Sequence, residues 1–376
     1  MAMAETQMNE NDIREEAFKL CREFLGSPWN EIGLSDFKFA EMGGGLSSIL
    51  YRCSLGNNVK LQNKKTARQV LLRFYGPMQD AEHIIVLEAI IFVILAEKNL
   101  GPRLMGLFPN GRLEEFIPSK SLHTDDIRPL SATIARTMAK IHALNVPVSK
   151  VPDQIPYHMK KWLKEVEKDT RRVTKEGFSL GDIFRNEVSW ITKEMEKSTS
   201  PIVFCHNDLQ GGNILLREDS ANKMEPNLMF IDFEFGAYNY RSFDIANHFC
   251  EWTYDYNTPD PPYFTLSINK YPSKEEKIEF IRTYLHQLVQ EDVMDVSDVE
   301  SETEKILDEL ELFGMAAHLY WAIWCEKMKF ESDKSPFYAE HGKTRRTLYW
   351  KAKENYMRNT AQQNGINSSD KMNGDL

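Results

Sequence analysis

The stretch VFCHNDLQGGNILL, residues 203–216, together with FIDFE, residues 230–234, decides the predicted fold. Asp208 and Asn213 stand at a spacing typical of a loop, between apolar runs that predict strands. Asp232 follows the apolar run LMFI, so its side chain can meet the loop across a hairpin. The sequence therefore predicts that three oxygen-bearing side chains converge.

These residue types suit phosphoryl transfer. Carboxylate and amide oxygens are the ligands that Mg²⁺ prefers, and a further carboxylate is needed to accept the proton of an attacking hydroxyl. Protein kinases divide the work in this way, with an Asp-x-x-x-x-Asn loop and a metal-binding Asp-Phe-Gly. Any one of these residues alone would be explained as a turn residue or a strand-end cap. Together, with His206 two residues before Asp208, they indicate a catalytic loop.

Length and composition indicate a large globular protein. The chain has 376 residues, of which 42% are hydrophobic, enough to bury one large core or two. The longest nearly uncharged run, 84–96, is shorter than the ~20 apolar residues of a membrane span. The amino terminus is polar and acidic, without the features of a secretory signal. We therefore expect no membrane span and a cytoplasmic protein.

Charge and cysteine content exclude further classes. The net charge of −10 disfavours a nucleic-acid surface and suits a small cationic substrate, although many acidic proteins are simply soluble. The five cysteines are scattered and contain no C-x-x-C pair, so neither a disulfide framework nor a zinc site is predicted. We expect reduced thiols.

The order of the predicted elements gives an α+β protein with two lobes. Strand patterns around a glycine loop, then an apolar helix, then short strands predict a small sheet-rich lobe over residues 1–118, with 1–12 disordered. Helix periodicity predicts a larger, mainly helical lobe over 119–358. A polar stretch predicts a disordered tail over 359–376.

The glycine loop is a candidate phosphate-binding element. Glycines let backbone N–H groups approach phosphate oxygens, and serine hydroxyls add donors. The pattern is not a Walker motif, and alone it is equally typical of a hairpin loop. Its position upstream of Asp208 favours the functional interpretation, with five candidate residues: Gly43, Gly44, Gly45, Ser47 and Ser48.

Arg73 and Glu88 each interrupt an apolar element, Arg73 a strand and Glu88 a helix. A buried charge without a partner is costly, so we predict that the two residues form an ion pair. Kinases use a strand lysine and a helix glutamate in this way, and an arginine would reach the nucleotide phosphates with a wider fork. The alternative is that both side chains reach solvent.

Three residues near the loop are predicted to support it rather than to react: His206, Glu234 and Asp244. Asp244 stands at an apparent helix start, and we expect it to hold the backbone of residues 206–213. The histidines are not spaced like a metal site.

Aromatic and acidic residues come together in CEWTYDY, 250–256, and HLYWAIW, 318–324. Trp321 and Trp324 are three residues apart, so both rings can line one side of a helix. An aromatic core stripe is the common explanation. A set of rings with a carboxylate is also what a quaternary ammonium needs, because it donates no hydrogen bond and is held by cation–π attraction.

These motifs closely resemble the choline/ethanolamine kinases, relatives of the aminoglycoside phosphotransferases within the protein-kinase-like fold. The resemblance covers about residues 35–355 and includes GGGLSSILYRCSL, VLLRFYG and LGPRLMGLFPNGRLEEFIPS. It implies ATP-dependent phosphorylation of the choline hydroxyl to phosphocholine, the first step of phosphatidylcholine synthesis, with Mg²⁺. It also implies a homodimer.

The resemblance implies a role for each matching residue. Asp208 corresponds to the catalytic base, Asn213 and Asp232 to the magnesium ligands, and Gln210 to a residue that helps to place the substrate. Glu115 and Ile117 fall where the family offers backbone groups to adenine. Five residues match the choline pocket: Glu251, Tyr256, Trp321, Trp324 and Tyr338.

One departure from the family pattern concerns the site. Many relatives have tyrosine after the glutamate of the DFE motif, where this chain has Phe235, so a hydroxyl is missing. The segment CEW, 250–252, resembles choline kinases more than ethanolamine kinases, which tend to carry Asn-Glu-Phe. Use of ethanolamine or of both amines stays open, as does a catalytically silent amine-binding scaffold. Protein kinase activity is disfavoured because no Ala-Pro-Glu segment is present.

Overall fold

The computed structural model describes residues 9–42, 48–61, 66–75, 82–168, 180–219, 226–329 and 335–372. The chain divides into two compact units. Unit 1 comprises residues 1–119 and Arg217–Asp219, and unit 2 comprises 120–216 and 220–376. From the sequence, the boundary between the two lobes was predicted to lie between residues 118 and 119.

Unit 1 is built on a five-stranded antiparallel sheet with the strand order β1-β2-β3-β5-β4. Its elements are α1 (Glu10–Leu25), β1 (Phe37–Glu41), β2 (Ser48–Leu55), β3 (Gln69–Tyr75), α2 (Glu82–Glu97), β4 (Leu104–Phe108) and β5 (Gly111–Glu115). Asn9 starts α1 by accepting the Asp12 N–H at 3.0 Å, which satisfies one of the free donors of the first turn. The inner face of α1 packs with the strands around Ala17, Trp29 and Leu72.

Unit 2 is mainly helical. Its helices are α3 (Thr124–Ile127), α4 (Ser131–His142), α5 (Gln154–Lys168), α6 (Leu180–Glu196), α7 (Arg241–Glu251), α8 (Lys274–Gln290), α9 (Val299–Met328) and α10 (Ser335–Met372). The long helix α9 is buried along most of its length and packs against α5, α7, α8 and α10. It forms the centre of the unit's core.

Short strands carry the loops of unit 2. They are β6 (Ser119–Ser121), β7 (Ile202–Cys205), β8 (Ile214–Arg217), β9 (Leu228–Phe230), β10 (Ala237–Tyr240), β11 (Tyr254–Asp255) and β12 (Thr265–Leu266). They form three small sheets, β6-β8-β9, β7-β10 and β11-β12. Strands β7 and β9 confirm the two strands predicted beside the catalytic loop.

The α+β class is confirmed, and the differences from the sequence prediction are local. Helix α6 and strand β10 were not predicted. Helix α1 begins at Glu10, and helix α10 continues to Met372. The Asn359 amide donates to Glu311 of α9 at 3.2 Å. The disorder expected over 1–12 and 359–376 stays a prediction. Among the described residues, no helix is long and apolar enough to cross a membrane.

A buried ion network occupies one face of the unit 1 sheet. Arg73 of β3 stands directly opposite Arg112 of β5, and Glu114 shares their face because side chains alternate along a strand. Glu114 Oε1 accepts from Arg73 Nε at 2.8 Å and from Arg112 Nε at 2.7 Å. Glu88 of α2 accepts from Arg112 Nη1 at 2.8 Å. Glu114 therefore lies between two apposed cations, and Glu88 supplies the second negative charge of the network.

The network bears on the predicted pair of Arg73 with Glu88. The two residues are linked through Glu114 and Arg112, neither of which the sequence analysis singled out. Direct contact between Arg73 and Glu88 stays a prediction. Burial alone would raise the pKa of Glu114, but Arg73 and Arg112 hold that pKa below its ordinary value. The stability from this carboxylate is thus present above the ordinary carboxyl range and is lost as the pH falls through the lowered pKa.

Replacing Glu114 should destabilise the protein strongly. In Glu114→Gln the two apposed arginines keep their burial and lose their shared anion, so we expect the free energy of unfolding to fall by about 3 to 5 kcal/mol. The matched control is Glu115→Gln, because the neighbouring glutamate pairs with the exposed Arg103 and should contribute less than about 1 kcal/mol. Urea denaturation of both variants measures the difference, and equal losses would contradict it.

Candidate active site

The loop between β7 and β8 is fixed by one buried carboxylate. Asp244, in the first turn of α7, accepts the backbone N–H of His206 on Oδ2 and that of Asn207 on Oδ1, each at 2.8 Å. His142 Nε2 lies 3.0 Å from Oδ2. The structure thus contains the contact that the sequence predicted for Asp244. Its importance for a reaction stays a prediction.

Asn207 completes the anchoring of this loop. Its φ of 64° lies in the left-handed region, which asparagine tolerates better than most residues. The side-chain amide donates to the carbonyl of Phe235 at 2.8 Å and accepts from Asn239 at 2.8 Å. The loop is therefore bound to the residues just before β10 and to β10 itself.

Asp208 and Asn213 meet as the sequence predicted. Asn213 Nδ2 donates to the Asp208 carbonyl at 2.8 Å and to its Oδ2 at 3.1 Å. The Asp208 N–H lies 3.2 Å from His206 Nδ1, and His206 Nε2 lies 2.8 Å from the Ile231 carbonyl. Because a carbonyl only accepts, we assign the ring proton to Nε2, so that Nδ1 accepts from Asp208. The candidate base is thus held through its backbone and by an amide donor.

The surroundings of Asp208 make its carboxyl group a stronger base. Desolvation raises its pKa well above the ordinary value, and Glu251, Glu234 and Asp232 raise it further. Asn213 acts in the opposite direction by hydrogen bonding. Four carboxyl groups near one another form an acidic site that attracts a cation.

Asn213 and Asp232 have the chemistry of a magnesium site. The Ile231 N–H donates to the Asn213 carbonyl at 3.0 Å, which brings Asp232 beside the loop. The Asn213 amide nitrogen is committed to Asp208, so its amide oxygen remains as an acceptor. Asp232 adds a half-buried carboxylate on a left-handed residue with φ 66°. An amide oxygen and a carboxylate fit a hard cation such as Mg²⁺.

A second cluster in the described part of the chain could be mistaken for a metal centre. His142, Cys205 and Asp244 place one ligand atom each within 4.8 Å of one another, and all three are buried. Burial and Asp244 raise the pKa of Cys205 well above its ordinary value, so the thiol stays protonated. Since metals bind the thiolate and the Asp244 oxygens already accept hydrogen bonds, we interpret this cluster as structural.

The predicted amine-pocket rings lie in contact with one another. The rings of Trp321 and Trp324 are 5.4 Å apart, and those of Trp324 and Tyr338 are 5.3 Å apart, both in edge arrangements. Trp321 Nε1 donates to Asn247 at 2.9 Å, which fixes its plane. Phe235 packs against Trp321 at 5.4 Å, so its ring belongs to the same group although a hydroxyl is missing.

Glu251, at the end of α7, is a buried carboxylate that is linked to these rings through Tyr256. The Tyr256 ring packs on Phe337 with centroids 6.1 Å apart, and Phe337 packs on Tyr338 at 5.2 Å. Tyr256 Oη donates to Glu251 Oε2 at 2.8 Å, and Arg345 of α10 forms an ion pair with Glu251 Oε1. Glu251 and Tyr256 were predicted from the sequence, whereas Arg345 and His341 were not. Their spacing was a usable signal, because Tyr338, His341 and Arg345 follow each other at helical intervals of three and four.

Gln210 serves the turn of the loop in the structure. Its side-chain oxygen accepts the Gly212 N–H at 2.7 Å, and its amide NH₂ group is left to donate elsewhere. Glu234 is half-buried and contributes to the raised pKa of Asp208. The substrate contact predicted for Gln210 stays a prediction.

The remaining predicted residues belong to unit 1. Gly43, Gly44, Gly45 and Ser47 lie outside the described residues, and Ser48 is the first residue of β2. The Glu115 carboxylate accepts from the Arg103 side chain. The backbone N–H of Glu115 donates to the Arg103 carbonyl at 2.8 Å. The Ile117 carbonyl accepts from the Ser119 hydroxyl at 2.9 Å. A role of these groups in nucleotide binding stays a prediction.

The fold combines a sheet-rich unit with a helical unit. In the loop after β7, the Asp208 carboxylate is in contact with the Asn213 amide. This combination is typical of phosphotransferases of the protein-kinase-like class. Residues 39–350 match the sequence pattern of the family described as choline/ethanolamine kinase. The chain therefore belongs to this family. It is therefore a kinase that acts on choline or ethanolamine.

Individual relatives agree with this assignment. The chain is 36% identical to a choline/ethanolamine kinase of Rattus norvegicus over 91% of this chain and 87% of the relative. It is 37% identical to choline kinase alpha of Mus musculus over 90% of this chain and 81% of the relative. The crystal structure of a choline kinase from Cryptosporidium parvum superposes with a TM-score of 0.73 at 26% identity, covering 92% and 97% of the two chains. The predicted fold class and family are confirmed.

Replacing Asp244 should loosen the catalytic loop in a pH-dependent way. Burial would raise the pKa of Asp244, but hydrogen bonds from His142 and the His206 backbone hold it below its ordinary value. In Asp244→Asn an amide NH₂ faces a backbone N–H, so we expect the free energy of unfolding to fall by about 1 to 3 kcal/mol near neutral pH. The difference from wild type should shrink as the pH falls through the lowered pKa.

Denaturation of both proteins across a pH series measures this effect. The control is Asp295→Asn, because Asp295 caps a short helical turn at the surface and asparagine caps equally well. A stability difference that does not change with pH would contradict the role of the Asp244 charge.

Proposed function

We propose that the protein catalyses ATP- and Mg²⁺-dependent phosphorylation of the choline hydroxyl to phosphocholine, the first step of phosphatidylcholine synthesis. The observation that carries the proposal is the position of Asn247 in α7, which accepts from Trp321 Nε1 at 2.9 Å and donates to the Asn207 carbonyl at 3.4 Å. One residue thus connects a ring of the candidate amine pocket with the backbone directly before Asp208, and a short amino alcohol needs the pocket and the base close together.

Asp208 would act as the proton acceptor. The choline oxygen attacks the γ-phosphorus of ATP, the bond to the ADP oxygen breaks, and the hydroxyl proton passes to the Asp208 carboxylate. Asn213 supports this role because its amide donates to Oδ2 and leaves Oδ1 for the substrate. The high proton affinity of the carboxyl group favours the transfer.

The metal would be held by Asn213 and Asp232. When bound, Mg²⁺ neutralises charge on the nucleotide phosphates. Asn213 lies next to the candidate base because its amide donates to Asp208. Asp232 lies beside Asn213 because the preceding residue, Ile231, donates its N–H to the Asn213 carbonyl. The Arg73 side chain and the glycine loop are proposed to contact the phosphates, and the Glu115 and Ile117 backbones the adenine.

The amine would be held by ring faces and a buried carboxylate. Trp321, Trp324 and Tyr338 form a continuous group of rings, and Glu251 adds negative charge. Such a pocket suits trimethylammonium, which cannot donate hydrogen bonds. A silent scaffold is disfavoured since Asp208 and Asn213 are present and in contact. The cytoplasmic location and the homodimer stay predictions.

Turnover on a panel of acceptors tests the proposal directly. With ATP and Mg²⁺ we expect phosphorylation of choline, less of ethanolamine and none of an aminoglycoside, measured by coupled ADP release. Asp208→Ala should lower kcat by ~10²–10⁴-fold because the hydroxyl loses its proton acceptor. Asp260→Ala, at an exposed turn, is the control. A folded Asp208→Ala variant that keeps more than about a third of wild-type kcat would exclude Asp208 as the base.

Removing a pocket ring should weaken choline binding selectively. For Trp324→Ala we expect the choline KM to rise ~5- to 30-fold, the equivalent of roughly 1 to 2 kcal/mol, with the ATP KM little changed. Trp324 is preferable to Trp321, whose indole N–H also bonds Asn247. Trp350→Ala, which removes a ring 40% exposed on α10, is the control. A rise in the ATP KM alone would refute the position of the amine pocket.

A further inference from the structure

Glu251 receives a donor from the protein on each of its two oxygens. Arg345 forms the ion pair with Oε1, and Tyr256 Oη donates to Oε2 at 2.8 Å. The side chain is only 3% exposed, so water does not provide further partners. Each carboxylate oxygen therefore already accepts one donor from the protein, and burial separates its other lone pairs from water.

The Tyr256 hydroxyl is directed towards Glu251 by a chain of donors. His341 Nε2 lies 3.2 Å from Tyr256 Oη, and His341 Nδ1 lies 3.3 Å from Cys325 Sγ. Because a carboxylate only accepts, the tyrosine proton points to Glu251, and His341 must donate through Nε2. Its Nδ1 then accepts the Cys325 thiol proton. Burial and Arg345 lower the pKa of His341 well below its ordinary value, which keeps the ring neutral as this arrangement needs.

Arg345 is held as firmly as Tyr256. Its side chain is 1% exposed, and its Nη1 lies 3.4 Å from His318 Nδ1. The guanidinium also covers the ring of Tyr254 at 4.2 Å. The cation beside Glu251 cannot move away without losing these contacts.

We propose that Arg345 and Tyr256 set the amine selectivity of the site by occupying the oxygens of Glu251, so that the pocket accepts a quaternary ammonium in preference to a primary ammonium. The inference rests on the proposed function. A primary ammonium carries three N–H donors, and each one that leaves water without a new acceptor weakens binding. A quaternary ammonium has no such donors and needs only ring faces and negative charge.

The proposal assigns distinct tasks to three residues. Tyr256 is a specificity-determining residue because its hydroxyl donates to Glu251 Oε2, an acceptor that the ethanolamine ammonium would otherwise use. Arg345 and His341 are positioning residues, since they act through Glu251 and through Tyr256. None of these tasks requires contact with the reacting hydroxyl.

Tyr256→Phe tests the proposal because it keeps the ring and frees Glu251 Oε2. We expect kcat/KM for ethanolamine relative to choline to rise about tenfold, through a lower ethanolamine KM. The choline KM of the same variant is the internal reference, because the ring face that a quaternary ammonium needs remains. The matched control is Tyr254→Phe. Tyr254 stacks on Tyr256 with centroids 5.9 Å apart, and its buried hydroxyl has no hydrogen-bond partner among the described residues.

Binding of tetramethylammonium and methylammonium, followed by tryptophan fluorescence, gives a second measurement that does not depend on turnover. We expect Tyr256→Phe to bind methylammonium about tenfold more tightly and tetramethylammonium as wild type does. Equal changes for both cations, or the same shift in Tyr254→Phe, would overturn the inference. Wild-type protein that binds these cations but phosphorylates neither choline nor ethanolamine would overturn the proposed function instead.

Discussion

The carboxylate of Asp244 holds the backbone on which the candidate site is built. A buried N–H group without an acceptor is costly, and the loop after β7 turns two such groups inward at His206 and Asn207. Hydrogen bonds to a charged acceptor are stronger than neutral ones, so a single residue fixes the loop immediately before Asp208. The Asp208 side chain is consequently not needed to hold the loop and faces Asn213, whose amide donates both to Asp208 Oδ2 and to the Asp208 carbonyl.

Periodicity and spacing predicted the parts of the site that are local in sequence. Apolar runs located β7 and β9, and the polar residues between them followed from the loop spacing. The ion network of unit 1 was predicted only in part, because Arg73 meets Arg112 through the pairing of β3 with β5, which are not consecutive strands. Glu114 and Glu115 are adjacent and identical in type, so their local sequence does not show which one is buried. In the structure Glu114 is buried between two arginines, and Glu115 pairs with the exposed Arg103.

Arg345 shows the same limit in unit 2. It pairs with Glu251 across 94 residues of chain, and a single sequence carries no signal that links the two helices. The aromatic residues were easier to find, because Trp321 and Trp324 share one helix face and lie close together in sequence. The aromatic rings could therefore be predicted from local patterns. The cation that pairs with Glu251 could be identified only from the three-dimensional structure.

The acidic groups of the site differ in how their charge is balanced. Glu251 forms an ion pair with a buried arginine, whereas Asp208 has no such partner among the described residues and its pKa is raised by burial and by acidic neighbours, Glu251 among them. The first arrangement gives a rigid surface for recognition, and the second leaves negative charge for cations that arrive with the substrates. The proposed recognition and the proposed chemistry thus use the same functional group, a carboxylate, in two different electrostatic environments.

The long separation between Glu251 and Arg345 also orders events during synthesis. Ribosomes add about 5 to 20 residues per second, so Glu251 emerges roughly 5 to 20 seconds before its cation. Until α10 is made, α7 cannot bury this carboxylate without leaving its charge unpaired. A nascent chain can form the first 119 residues of unit 1 early, but the proposed amine pocket is complete only when the last long helix has been translated.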